Sequence, residues 1–217
     1  MMSISATILA LDLSTPCGRI AVLRGDEVLF RADFQSERSH NAQVFAPLGQ
    51  ALKMIPADFP TVVVVGIGPG SYTGVRISIA AAQGVALARR WPIVGWPSIA
   101  SAPDDDYQVL GDARRGQFYH ARVKNGRLLQ PPILVPEDQA RNFVEDGGNW
   151  VTFDACPPLS LRSVRCLTPD AVILGRHITG LSEAELNQIS SQPLEPFYLQ
   201  EAFITTARKA GKSVPQH

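Results

Sequence analysis

Residues 7–34 read TILALDLSTPCGRIAVLRGDEVLFRADF, and their pattern decides the fold. Thr7–Leu13 is a nearly continuous apolar run, as a central strand covered on both faces requires. Ser14, Thr15 and Pro16 supply a turn, and Gly18–Arg24 reads as a second strand. Gly25-Asp26 is a tight-turn pair leading into a third strand, Glu27–Phe34. The chain is therefore expected to open as an antiparallel meander.

Working outward, Asn41–Met54 reads as a helix, because Val44, Phe45, Leu48, Leu52 and Ile55 recur at helical spacing. Ser39 or Asn41 would cap it, and Pro47 must sit in its first turn or kink it. Thr61–Val65 is a buried strand. The segment 66–76, GIGPGSYTGVR, opens a second helix that runs through Arg90, and Pro92–Gly95 is a short strand. The order βββαβαβ predicts one mixed sheet, antiparallel at first and then extended by right-handed crossovers. That is the order of the ribonuclease-H-like α/β domain, shared by actin, the sugar kinases and Hsp70. A boundary is expected near 98–106. It separates a first lobe over residues 1–101 from a smaller α/β lobe over 102–217, with a C-terminal tail free to return to the first. In the second lobe Tyr107–Ala113 and Gln117–Lys124 read as strands joined at Arg114-Arg115-Gly116. Asn125-Gly126 is a type I′ turn signal. Pro136–Phe143 and Ala171–Thr179 read as helices, and Trp150–Asp154 as a strand.

Composition excludes several classes. The 217 residues are 45% hydrophobic and 18% charged, a balance that folds rather than stays disordered. Twenty basic residues match twenty acidic ones, so bulk electrostatic binding of nucleic acid is not expected. No apolar run reaches the ~18–20 residues of a membrane span. The opening residues carry no basic n-region, so no secretory leader is expected. Three cysteines, Cys17, Cys156 and Cys166, with no C-x-x-C pair, argue against a disulfide framework or a structural zinc. A reducing cytoplasm is the expected setting.

Two segments could carry function. In the first, Gly68 and Gly70 precede Ser71 and Thr73 at the start of a helix, where free N–H groups and the helix dipole form an anion cradle. Arg76 could add a bidentate contact. The alternative is a tight turn capped by Ser71 or Thr73. Asp12, at the end of the first strand, either faces a phosphate or metal or caps its own loop through Ser14 or Thr15. The second segment is the helix itself. Gly74, Ser78, Ala81, Ala82 and Val85 lie on adjoining turns, with Ile77, Ala80, Gly84 and Ala88 beside them. Small residues spread round most of the circumference suggest two packed faces, the sheet and a partner chain. The chosen partner face is Gly74, Ile77, Ser78, Ala81, Gly84, Val85 and Ala88, with Gly74 and Ser78 permitting close approach. Arg114 and Arg115, in DARRG, form either a solvated turn or a ligand contact.

Missing residues are also informative. A ribonuclease-H nuclease needs several carboxylates around two metals, yet Asn41–Met54 contains none. His40, His120, His177 and His217 form no helical pair, so a two-histidine metal site is not expected. No Ser/His/Asp or Cys/His set is evident.

Together these segments resemble one family, the bacterial tRNA threonylcarbamoyladenosine biosynthesis protein TsaB (YeaZ). The resemblance rests on ILALDLSTPCGRIAV, SHNAQ, GIGPGSYTGVRISIAAAQGVALA, IVGWPSIAS, DARRGQFY and EPFYLQ, in order from residue 8 to about 200. It implies a non-catalytic relative of TsaD, the subunit that transfers threonylcarbamoyl to adenosine 37 of tRNAs reading ANN codons. It also implies binding to TsaD, work with the ATPase TsaE, and self-association as a homodimer through the helix Gly74–Arg89. Contact with tRNA is expected only within the complex, and ATP or ADP at the complex interface. TsaD-type proteins hold metal with His-x-x-x-His, whereas here His40 is followed by Val44. The rival expectation is a small ATPase or phosphotransferase using Asp12 and the cradle. Local basic pairs, Arg89-Arg90 or Arg114-Arg115, would serve a tRNA-binding module.

Overall fold

The computed structural model describes residues 6–35, 43–56 and 59–199. Its first sheet holds β1 (Thr7–Asp12), β2 (Cys17–Arg24), β3 (Glu27–Gln35), β4 (Thr61–Gly66) and β5 (Ile93–Trp96) in the order β3-β2-β1-β4-β5. The hairpin connections make β3-β2-β1 antiparallel. The helical crossovers make β1-β4-β5 parallel, since a parallel pair cannot be joined by a tight turn. Helix α1 (Phe45–Lys53) lies against β2 and β3, and α2 (Tyr72–Arg89) against β4, β1 and β5. Pro47 sits in the first turn of α1, where its missing N–H costs nothing. His40 and the cap candidates Ser39 and Asn41 lie outside the described residues.

Strand alternation assigns the two faces. Leu9, Leu11, Ile20, Val22, Val63 and Val65 point to the side covered by α1 and α2. Ile8, Ala10, Ala21, Leu23, Val62 and Val64 point to the other. That other face is covered by α4 (Ala171–Thr179), which packs across β1 and β2. Asp170 caps α4 by accepting from the Val172 N–H at 2.8 Å. Gly175 lets the helix close onto Leu23, whose Cδ1 stands 2.6 Å from where a Cβ would be.

The second sheet holds β6 (Asp106–Arg114), β7 (Gln117–Lys124), β8 (Arg127–Leu128), β9 (Ile133–Pro136), β10 (Trp150–Thr152) and β11 (Val164–Cys166). Its order is β11-β10-β6-β7-β8, and β9 also pairs with β7. Helix α3 (Glu137–Glu145) covers its outer face, where Leu110, Phe118, Val135, Ala140, Val144 and Trp150 form a separate core. The inner face joins the first sheet in one continuous core. Trp96 Nε1 donates to the Gly126 carbonyl at 3.0 Å, and His177 stacks on Trp96 while its Nε2 meets the Ala100 carbonyl at 2.9 Å. Asn125 and Gly126 both take positive φ, 50° and 69°, as the type I′ turn demands.

Beyond the elements expected from the sequence stand the short strands β8, β9 and β11, helix α5 (Glu183–Ser190) and two single-turn 3-10 helices, Ser98–Ala100 and Pro158–Ser160. Beyond α5, Leu194–Leu199 runs back along the first sheet as a strap. Phe197 N–H donates to the Ile67 carbonyl at 2.7 Å, and Leu194 packs against Gly95. Among the described residues no helix is long and apolar enough to cross a membrane.

Candidate functional site

Ser71 caps α2, its Oγ accepting from the Gly74 N–H at 3.2 Å. From there the helix divides into two sides. Gly74, Val75, Ser78, Ile79, Ala82 and Ala86 are buried. Arg76, Ala80, Gly84, Leu87 and Ala88 are exposed, and Ile77, Ala81 and Val85 lie half-buried at the border. At 100° per residue, Arg76, Ile77, Ala80, Gly84, Leu87 and Ala88 fall within one outward arc.

This corrects two assignments. Gly74 and Ser78 were placed on the partner face, but both turn inward. A Cβ on Gly74 would meet the Leu13 carbonyl, and Ser78 is fully buried. Their small size serves the approach of α2 to its own sheet. By contrast, a Cβ on Gly84 would meet nothing within 4 Å. The outward arc carries Leu87 at 83% exposure, a large apolar residue that a pattern of small residues does not single out. Its helical angle, one turn from Gly84, was the available signal.

The anion candidates separate likewise. A cleft of about 1250 Å³ lies between the start of α2 and the β6–β7 turn. Gly70, Ser71 and Thr73 line it, facing Arg114 and Arg115 from the β6–β7 turn. Among the described residues, the first-turn N–H groups of Tyr72 and Thr73 have no hydrogen-bond partner, as the first turn of a helix leaves them. Asp12, Gly68 and Arg76 do not line the cleft. Asp12 is 2% exposed and lies beneath the loop. Its Oδ1 accepts from the Ser14 N–H at 2.8 Å and the Ser14 hydroxyl at 2.6 Å. Burial raises its carboxyl above the usual range, opposed by the hydrogen bonds of Ser14 and Ser98 and by the charge of Arg19. Asp12 therefore caps its own loop. Gly68 is fixed by its N–H donating to Ser98 Oγ at 2.9 Å. The cleft accordingly offers donors to an anion but no carboxylate from β1.

Arg76 turns to the strap instead. Its Nε and Nη2 donate to Tyr198 Oη at 3.1 and 2.9 Å, and its guanidinium lies 4.2 Å from the centroid of the Tyr72 ring. Arg114 is exposed and pairs with Asp112 at 3.2 Å. His120 is half-buried between Phe143 and Trp150, with Nε2 at 3.0 Å from Gln108 Oε1. Val44 is fully buried in the core beneath α1. Among the described residues no three of His, Cys, Asp and Glu are placed to share a metal ion.

Known proteins resemble this chain throughout. Residues 34–131 match the family model of TsaD, tRNA N6-adenosine threonylcarbamoyltransferase. The tRNA threonylcarbamoyladenosine biosynthesis protein TsaB of Bacillus subtilis is 35% identical over 142 residues, 60% of each chain. TsaB of Escherichia coli is 28% identical over 219 residues, 89% of this chain and 94% of the relative. The solved structure of YeaZ from Pseudomonas aeruginosa superposes with a TM-score of 0.63 at 21% identity, covering 89% of this chain and all of that one. That likeness shows the fold.

Proposed function

We propose, from its similarity to the TsaB (YeaZ) proteins, that this chain is an accessory subunit of tRNA threonylcarbamoylation that acts by binding a TsaD-type transferase. The observation that carries this reading is the outward arc of α2. There Gly84 and Ala88 permit close approach while Leu87 and Ile77 supply apolar area on an otherwise soluble helix. In this reading the same arc also supports self-association. TsaE and tRNA join through the complex, which works in the cytoplasm. Any nucleotide at the complex interface would meet the N–H groups at the start of α2.

The test is reconstitution. TsaD and TsaE are mixed with tRNA and with TsaC, which the family resemblance implies as the source of threonylcarbamoyl-adenylate, with and without this chain, and threonylcarbamoyladenosine is measured. Modification is expected only when the chain is present. Unchanged modification on omission would remove the accessory role.

The alternative, a small ATPase or phosphotransferase, requires Asp12 at the phosphates. Asp12→Asn separates the two. The replacement keeps the Oδ1 acceptor for Ser14 and removes a buried charge. A carboxyl raised by burial binds its proton more tightly in the folded chain. Its stabilising contribution is complete below the ordinary value of 3.8 and is lost as pH rises through the raised folded value. Asp12→Asn should therefore melt at or above the wild-type temperature at pH 7. That difference should vanish near pH 3, and the variant should support full modification. A folded Asp12→Asn chain that loses activity would favour the phosphotransfer reading.

A further inference from the structure

We infer that Arg76, framed by Tyr72 and Tyr198, forms a preorganised platform that receives an acidic side chain of the TsaD-type partner. This rests on the reading that α2 carries the partner. The guanidinium is held from two directions. Tyr198 Oη accepts from both Nε and Nη2, and the ring of Tyr72 lies under the plane at 4.2 Å. The two phenol rings stand 5.8 Å apart, inclined by 38°. The side chain's rotamer freedom is thus largely spent before any partner arrives, which favours binding.

The strap makes this arrangement durable. Phe197 is tied to Ile67 and Leu194 to Gly95, so Tyr198 is delivered to the first turn of α2 by a segment anchored on the loop after β4 and on β5. A phenol accepts hydrogen bonds but does not neutralise a cation. Among the described residues no carboxylate lies within ion-pair distance of Arg76, whereas Arg19, Arg31, Arg114, Arg122, Arg141 and Arg165 each have at least one. Nη1 makes no hydrogen bond among the described residues. A positive, oriented fork between two exposed tyrosines, continuous with an apolar helix face, has the composition of an interface hot spot. Its complement is a carboxylate.

The experiment measures the affinity of the full-length chain for the TsaD-type protein of the same organism across a salt series. Wild type is compared with Arg76→Met, Arg76→Lys, Tyr198→Phe and Gly84→Arg, each checked by a thermal melt. Arg76→Met should weaken binding about 10–100-fold and flatten its salt dependence. Arg76→Lys should keep the salt dependence and part of the affinity. Tyr198→Phe, which keeps the ring but frees the fork, should cost about 3–10-fold. If Arg76→Met binds like wild type while Gly84→Arg does not, the platform is overturned and the helix reading stands. If both bind like wild type, the helix reading itself fails. If Arg76→Met keeps partner affinity but the complex loses tRNA retention, the fork serves a phosphate and the carboxylate assignment is overturned.

Discussion

Gly84→Arg is expected to abolish association with the TsaD-type partner, and with it tRNA threonylcarbamoylation, while the folded chain melts no lower than wild type. Gly84 sits mid-helix on the exposed arc of α2, with open space where a Cβ would go. Glycine there costs the helix about 0.5–1 kcal/mol relative to alanine, and arginine is a good helix former. The unbound chain should thus gain roughly 1–4 °C in melting temperature. Binding moves the other way. A helix that packs through glycine and alanine brings the backbones close, and a guanidinium placed between them must be desolvated without a prepared partner. We expect a loss of at least about 100-fold, about 2.7 kcal/mol. Ala81→Arg is a weaker test because Ala81 is half-buried, so lost binding could reflect a shifted helix. Titration of the transferase with Gly84→Arg reads the interface alone, and undiminished binding would remove this face of α2 from it.

What the residues alone could settle follows from periodicity. The runs of β1 and β4 are nearly continuously apolar and buried at every position, so a mixed sheet covered on both faces is legible from residue 7 onward. Helix α2 is different. Ten of its eighteen residues are glycine, alanine, serine or valine, and such residues carry little contrast between an inner and an outer face. Gly74 and Ser78 could be given to either side until the Leu13 carbonyl was placed against the helix. Asp12 was open for a similar reason. The sequence D-L-S suits a phosphate loop and a self-capping loop equally, and only the short contact with Ser14 decides. Strands β9 and β11 pair over so few residues that no period forms. Helix α5 did carry a signal, the capping box of Ser182 and Glu185. The Arg76–Tyr198 contact joins residues 122 apart and had no local signature beyond the two motifs that supply its ends.

Gly74→Ala is expected to act in the opposite sense to a substitution at Gly84, although both glycines belong to one helix. At Gly74 the added methyl would meet the Leu13 carbonyl oxygen, a backbone atom fixed between β1 and the Ser14 turn. That turn is itself held by the Asp12–Ser14 bonds and by the Ser71 N–H donating to the Ser14 carbonyl. Relief requires α2 to shift away from β1, opening contacts around Val75 and Ile79. Overpacking of this kind costs about 1–3 kcal/mol, and against backbone the upper end applies. The helix-propensity gain from alanine offsets less than about 1 kcal/mol of it. A melting temperature lowered by roughly 4–8 °C is the expected net result, against a rise of about 1–4 °C for Gly84→Ala. The pair is its own control, since a pure propensity effect would raise both. A Gly74→Ala chain that keeps wild-type stability yet fails to bind the transferase would return Gly74 to the partner surface. It would mean that the approach of α2 to its own sheet is not what this glycine is for.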